Sequence, residues 1–314
     1  MEYSTKDVIF MEVGLLKKYE DWVSFSRMKF NAITWIIISI VISVVIGLGA
    51  FTFSLFLLQG VTLLPFAFTF ASLVLFLGYP YLKTESIIDS IENNFSDALK
   101  QMADTLKAGD TYESALREVV NAEYGRLSEE MAIALRRLEE GENIDTALRG
   151  FSERINSRLI RRTIVIILDS IKTGSSLAEI LDNISDDVRD IYKLKEERKS
   201  STTMQFMFMV AAGGFIAPLI FGEVTAIMGL FSDITLSALT KGQIIASDEL
   251  SNYIFILIQG YLIIEVIASG VMMGIIREGK INKSIIYIPA LLLIAFIMYY
   301  AATIGIGMML SGAF

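Results

Sequence analysis

The segment LKAGDTYESALREV, residues 106–119, interrupts one helical pattern at a glycine and begins another two residues later. The same arrangement returns in LEEGENIDTALRGF, residues 138–151, and again in IKTGSSLAEILDNI, residues 171–184. The three glycines lie 32 and then 33 residues apart. A charged, helical segment therefore repeats one kind of break three times within an otherwise strongly apolar chain.

Each repeat has the residue types of a tight joint between two helices. A glycine can end a helix in the left-handed conformation that other residues adopt only at a steric cost. These structural joints are predicted at Gly109, Gly141 and Gly174. Two residues later stands a side chain whose oxygen can accept from the first N–H groups of the next helix. These predicted caps are Thr111, Asn143 and Ser176.

Residues 83–201, which contain the joints, are predicted to form an all-helical bundle in water, because they are highly charged and have no apolar run of membrane-spanning length. The breaks predict six helices, at residues 84–108, 112–122, 127–140, 144–154, 157–172 and 177–199. Within them, LIRRTIVIILDSI, residues 159–171, is apolar on nearly all sides, so we expect it to be the central helix. A helical-hairpin solenoid is the alternative for a period near 33, but only the joint recurs.

The rest of the chain is apolar enough to cross a membrane five times. The composition is 54% hydrophobic, and a spanning helix needs about 20 apolar residues. The predicted spans are residues 33–58, 61–82, 204–230, 253–276 and 285–310. The expected fold class is an all-α polytopic membrane protein with five transmembrane helices and one cytoplasmic six-helix bundle between spans 2 and 3. The expected domains are an amphipathic N-terminal segment at 1–30, a transmembrane hairpin at 31–82, the bundle at 83–201 and a transmembrane region at 202–314.

Basic residues predict the orientation of these spans. The first 30 residues and the connector REGKINK, residues 277–283, are rich in Lys and Arg, whereas residues 231–252 contain a single lysine. Because cytoplasmic loops carry the excess of Lys and Arg, we expect a cytoplasmic N-terminus and bundle, an outside C-terminus and a place in the cell membrane. The N-terminal segment is expected to lie on the membrane surface or, alternatively, to bind a partner.

Composition also limits the chemistry. The chain has no cysteine and no histidine, which removes thiolate metal sites and histidine acid–base catalysis. The phosphate-binding pattern GxxxxGK[ST] is absent, and no predicted span contains the aspartates that an intramembrane aspartyl peptidase needs. The net charge of -8 disfavours nucleic acid as a partner. We therefore expect neither an enzyme nor a bound cofactor.

The bundle resembles a known family in three segments: FSDALKQMADTLKAGDTYESAL at 95–116, LSEEMAIALRRLEEGENIDTAL at 127–148, and LIRRTIVIILDSIKTGSSLAEILDNISDDVRD at 159–190. They are similar to the cytoplasmic domain of the type II secretion F family, the membrane platform proteins of type IV pili, type II secretion, tight-adherence pili and the archaeal flagellum. The resemblance implies a platform that couples a cytosolic hexameric secretion ATPase to the insertion or extraction of pilin-like subunits.

The chain departs from that family in one respect. Many members carry two such bundles, whereas this chain carries one, which implies a homodimer or a heteromer with a related platform chain. Two spans before the bundle and three after it are more similar to the tight-adherence and archaeal forms. A membrane transporter or channel with a regulatory cytoplasmic bundle remains the alternative function.

Two features are candidate functional sites. The bundle has a local excess of arginine, and Arg154, Arg158, Arg161 and Arg162 are the predicted docking residues for the ATPase, with a solvated helix face as the alternative. Glu265 lies near the middle of the fourth predicted span, where a charge is costly. Either it is a neutral acid bonded to a neighbouring span, or it lines a groove for the N-terminal helix of a pilin.

Overall fold

The structure is a computed structural model. It describes the backbone of residues 16–28, 30–57, 62–173, 176–236 and 241–311, and the side chains of these residues except 173, 230, 232–252, 310 and 311. The described residues form helices joined by short connections and contain no strand. Five of their helices are long and apolar enough to cross a membrane. The all-α, polytopic class predicted from the sequence is thereby confirmed.

Twelve α-helices follow one another in the described residues. The first four are α1 (residues 16–25), α2 (Ala32–Leu57), α3 (Leu64–Lys107) and α4 (Tyr112–Asn121). Next come α5 (Arg126–Glu139), α6 (Ile144–Ile155), α7 (Arg158–Thr173) and α8 (Leu177–Ser201). The last are α9 (Thr203–Met209), α10 (Ala217–Leu236), α11 (Lys241–Met273) and α12 (Ser284–Ser311). A π-helical segment, Val210–Ile216, joins α9 to α10, and a π-helical turn, Gly274–Glu278, follows α11.

Residue contacts divide the chain into two compact units. The first, called here the membrane unit, comprises Met1–Pro80 and Lys199–Phe314; the second, the bundle unit, comprises Tyr81–Arg198. Helix α3 belongs to both, because its 44 residues pass the boundary between Pro80 and Tyr81. It joins the second span and the first bundle helix, predicted at residues 61–82 and 84–108, in one helix.

The bundle unit has a core of side chains that recur at helical spacing. Ile91, Phe95 and Leu99 of α3 are almost completely buried, and the rings of Phe95 and Phe151 pack 6.3 Å apart between centroids. Helices α4, α5, α6 and α7 pack in succession, each against the next. Antiparallel packing of this kind follows from joints of only a few residues.

The two joints that the structure describes have the geometry that the sequence pattern predicts. Gly109 has φ +95° and Gly141 has φ +92°. At the first joint the Gly109 and Asp110 N–H groups donate to the Leu106 and Thr105 carbonyls, at 3.1 and 3.3 Å, which is the Schellman arrangement. Two of the predicted caps also form: the Thr111 hydroxyl accepts from the Ser114 N–H and the Asn143 amide oxygen from the Asp145 N–H, both at 3.2 Å. Gly174 lies outside the described residues.

A further joint has no glycine, and the sequence reasoning missed its geometry. Asn156 ends α6 with φ +54°, a conformation that Asn tolerates better than most residues. The next residue, Ser157, caps the start of α7: its hydroxyl accepts from the Ile160 N–H at 3.2 Å and donates to Glu92 Oε1 at 2.6 Å. The Asn-Ser pair is the signal that marks this joint in the sequence.

The prediction that α7 is the central helix of the bundle is wrong. Its buried side chains form one stripe, at Ile160, Ile164, Ile167 and Leu168. Val165 and Ile166 are 40% and 42% exposed. Apolar residues fall on both sides of the helix, but only the stripe with three- and four-residue spacing meets the core.

In the membrane unit, small residues allow close helix contact. A Cβ on Gly222 would lie 2.5 Å from the Tyr299 carbonyl oxygen, and one on Gly270 would lie 2.5 Å from Ile288 Cγ1. Both contacts join spans of this chain, so these glycines serve packing within the molecule. The Gln259 side chain, itself buried, accepts from the Leu63 N–H at 2.7 Å and so satisfies a donor at the start of α3.

We predict that Gly109→Val and Gly141→Val each destabilise the protein by about 1–3 kcal/mol, because a β-branched side chain resists positive φ. Space is not limiting, since a Cβ at either position would meet nothing within 4 Å. Thermal unfolding of the full-length protein in detergent, followed by circular dichroism, measures the loss. Gly109→Asn is the matched control and should lose less, because Asn tolerates the left-handed region. Equal midpoints for Val and Asn would contradict the conformational explanation.

Candidate functional site

The exposed side of α7 forms a mixed basic and apolar surface, called here the α7 face. Its residues are Arg158, Arg161, Arg162, Val165, Ile166 and Asp169, all exposed. Their three- and four-residue spacing places them along one side of the helix. Val165 and Ile166 are thus exposed beside three arginines on this face.

The arginines of the α7 face are largely free of internal partners. Arg161 Nη2 donates to the Asn156 side-chain oxygen at 3.3 Å, which is a neutral acceptor. Within the described ranges, Arg158 and Arg162 have no ion pair. By contrast, Arg149 on α6 binds Asp145 at 2.6 Å. The positive charge of the α7 face is therefore available to a partner.

Arg154, the fourth arginine of the predicted docking set, has a different role in the structure. Its Nε lies 2.9 Å from Glu130 Oε2, and its Nη2 donates to the Glu130 carbonyl oxygen at 3.3 Å. Glu130 is buried and is also 3.1 Å from Arg126 Nη2. Since a buried carboxylate without a counter-charge is costly, Arg154 is an internal partner that joins α6 to α5. Glu130, four residues after Arg126 on a face that is otherwise apolar, marks a buried carboxylate in the sequence, but nothing in the sequence marks Arg154 as its partner.

The side of the bundle unit formed by α3 and α4 has the opposite charge. A groove of about 680 Å³ is lined there by Asp97, Asp104, Asp110 and Glu118, with Lys100 as its single basic residue. Lys100 binds Asp182 of α8, and a hydrogen bond from Lys100 and a second from Lys107 hold the pKa of Asp182 below its usual range. The same bond raises the pKa of Lys100. The bundle unit thus presents an acidic groove on α3 and α4 and a basic face on α7.

Glu265 lies on α11, on the side that faces the third span. One turn before it, Tyr261 packs on Phe221 with 5.2 Å between ring centroids. One turn after it, Ser269 is next to Gly213, where a Cβ would lie 3.0 Å from the Ser269 hydroxyl. Residues four apart share a helix face. The Oε2 atom of Glu265 is buried and has no hydrogen-bond partner among the described residues.

None of the arrangements in the described residues suggests a metal centre: no group of three or more acidic side chains is close enough to hold an ion. The α7 face and Glu265 are separate features, one in each unit.

Comparison with known proteins identifies the domain that carries the α7 face. Residues 98–224 match the family model described as type II secretion system (T2SS), protein F. The chain carries a type II secretion system protein F domain. This match confirms the resemblance found in the sequence and extends it from the bundle into the third span, although it covers less than half of the chain. No match was found among curated proteins or among solved structures.

We predict that Arg154→Ala destabilises the T2SS F domain by about 1–3 kcal/mol, because it removes one of two partners from a buried carboxylate. Arg158→Ala should change stability by no more than about 0.5 kcal/mol, as expected for an exposed residue without an ion pair. The thermal midpoints of both full-length variants in detergent distinguish these outcomes. Equal loss in both would show that the Arg154–Glu130 pair has no special structural weight.

Proposed function

We propose that this chain is an integral membrane platform protein of a type IV pilus-like or secretion machine. In this function the T2SS F domain binds a cytosolic hexameric secretion ATPase, and the spans insert or extract pilin-like subunits. The chain itself performs no catalysis and acts as a homodimer or with a related platform chain. The match of residues 98–224 to the T2SS protein F family is the observation that carries the proposal.

We further propose that the N-terminus and the bundle are cytoplasmic and that the C-terminus is outside the cell membrane. The connector at 277–283 is basic and lies beside the start of the third span: Arg277 stacks on the Phe206 ring at 4.4 Å, and Lys199 is 4.0 Å from Glu278. Basic residues from two separate parts of the chain therefore gather at one end of the membrane unit. Such a cluster favours the cytoplasmic side.

The α7 face is the proposed docking surface for the ATPase. Its free arginines can pair with an acidic partner surface, while Val165 and Ile166 supply apolar area at the centre of the contact. Interfaces commonly combine arginine with an apolar core in this way. The acidic groove on α3 and α4 would repel the same partner and so helps to fix its orientation. Arg154 is left out of the docking set because its charge is used within the domain.

We predict that reversing Arg158, Arg161 and Arg162 to Glu abolishes co-purification of the full-length protein with its hexameric ATPase. Binding by the unaltered protein should weaken when the salt concentration rises above the physiological level, because the screening length then falls below about 8 Å. A triple reversal at Arg117, Arg136 and Lys193, which are exposed on other helices, has the same change in charge and should retain binding. Undiminished binding by a folded α7-face variant would remove this surface as the docking site.

Handling of pilin-like subunits is proposed to involve Glu265. An acidic group within a span can attract the positive N-terminus of a pilin helix, and a charge at that depth is otherwise costly. We predict that Glu265→Gln and Glu265→Leu both yield stable protein that no longer supports filament assembly. Membrane protein levels and filament yield are the two measurements. If Gln has no effect and Leu only lowers the protein level, Glu265 is structural.

A further inference from the structure

A proline lies inside the longest helix of the chain, at the end of its membrane-unit part. Pro80 is within α3 and is the residue at which the first segment of the membrane unit ends. Proline has no N–H, so the carbonyl four residues earlier, that of Phe76, loses the donor it would have in a regular helix. In or near lipid such a carbonyl needs another donor, because water is scarce there.

Two side chains from other parts of the membrane unit donate to this turn of α3. Trp35 Nε1, on α2, donates to the Phe76 carbonyl oxygen at 3.0 Å. The Tyr19 hydroxyl, on α1, donates to the neighbouring Leu77 carbonyl oxygen at 3.2 Å. The first bond replaces the one that Pro80 removes. The second adds a donor to the next carbonyl, which has a second lone pair to accept it.

Aromatic packing fixes both donors in place. The Trp35 ring lies 5.8 Å from the Tyr79 ring of α3 and 6.3 Å from the Phe30 ring. The Tyr19 ring meets Trp22 edge-on at 6.1 Å. Burial raises the pKa of Tyr19 to about 12, so its hydroxyl keeps the proton that it donates.

A tryptophan near the end of a span has an ordinary explanation, which is anchoring in the headgroup region. In that role its indole N–H points to water or lipid headgroups. Here the N–H is bonded to a backbone carbonyl of this chain. That carbonyl is also the one that Pro80 leaves without a donor. The anchoring role does not explain this choice of partner.

We propose that Trp35 and Tyr19 form a clamp that keeps α3 a continuous, stiff helix where it leaves the membrane unit: Trp35 replaces the backbone hydrogen bond lost at Pro80, and Tyr19 holds the next carbonyl. Without the clamp, Pro80 becomes a hinge. The two are positioning residues: they act through the backbone of α3. This proposal does not rest on the function proposed above.

A double-mutant cycle with Pro80 tests the clamp. Pro80→Ala restores an N–H that can donate to the Phe76 carbonyl, so the Trp35 bond becomes redundant. Full-length protein in lipid nanodiscs would be followed by hydrogen–deuterium exchange of the amides at 81–85. We expect Trp35→Phe to speed this exchange about 3- to 10-fold, the factor that corresponds to one net hydrogen bond. In the Pro80→Ala background the same substitution should speed it less than 2-fold.

Tyr19→Phe provides a second, milder variant and should also speed exchange, by a smaller factor. Its matched control is Tyr79→Phe, which removes a hydroxyl from α3 that has no hydrogen-bond partner in the described part of the chain; this variant should behave as the unaltered protein. If Trp35→Phe does not fold but Trp35→Phe with Pro80→Ala does, the clamp is supported directly. Equal effects of Trp35→Phe in both backgrounds, or none in either, would overturn it.

Discussion

The pairing of α3 with α8 is the contact on which the bundle unit depends. These helices begin and end the unit, and polar contacts join them along their length in antiparallel register. Asp89 binds Lys195 and Asp97 binds Arg189, both at 2.8 Å, while Asp182 lies between Lys100 and Lys107. Each exposed pair contributes little alone. Together with the buried bond from the Ser185 hydroxyl to the Ser96 carbonyl, they set the register in which α3 and α8 pack.

The helices between this pair show how far sequence reasoning reaches. The helix bounds and the joints at Gly109 and Gly141 could be predicted, because positive φ and side-chain capping are local properties with strong residue preferences. The joint at Asn156 could be placed only within a residue or two, since Asn ends helices less often than glycine. The exposed side of α7 and the role of Arg154 could not be predicted. Both depend on which neighbour covers a given stripe, and Glu130, the partner of Arg154, is 24 residues away in sequence.

The separation of charge within the bundle unit follows from the same packing. Arg149 and Arg154 are close to the α7 arginines in sequence, but each is paired internally. A basic patch inferred from sequence alone is therefore too large, because it includes arginines whose charge is paired with an acidic residue of the same domain. What remains is a smaller set on one side of α7, together with two apolar side chains that no charge pattern could have indicated.

The membrane unit is governed by the rule that backbone groups in lipid need partners from the protein. The start of α3 receives one from Gln259, and the turn before Pro80 receives two from Trp35 and Tyr19. The chain accommodates Pro218 in another way. A π-helical segment precedes this proline, and at its end the Ala217 N–H donates to the Ala212 carbonyl, five residues earlier. There the wider turn changes the helix itself, whereas at Pro80 the helix stays α and side chains supply the donor. Helix α3 keeps its regular geometry on both sides of a proline because side chains of neighbouring helices supply the hydrogen-bond donors. This dependence on α1 and α2 gives the N-terminal segment a structural role that its composition alone does not reveal.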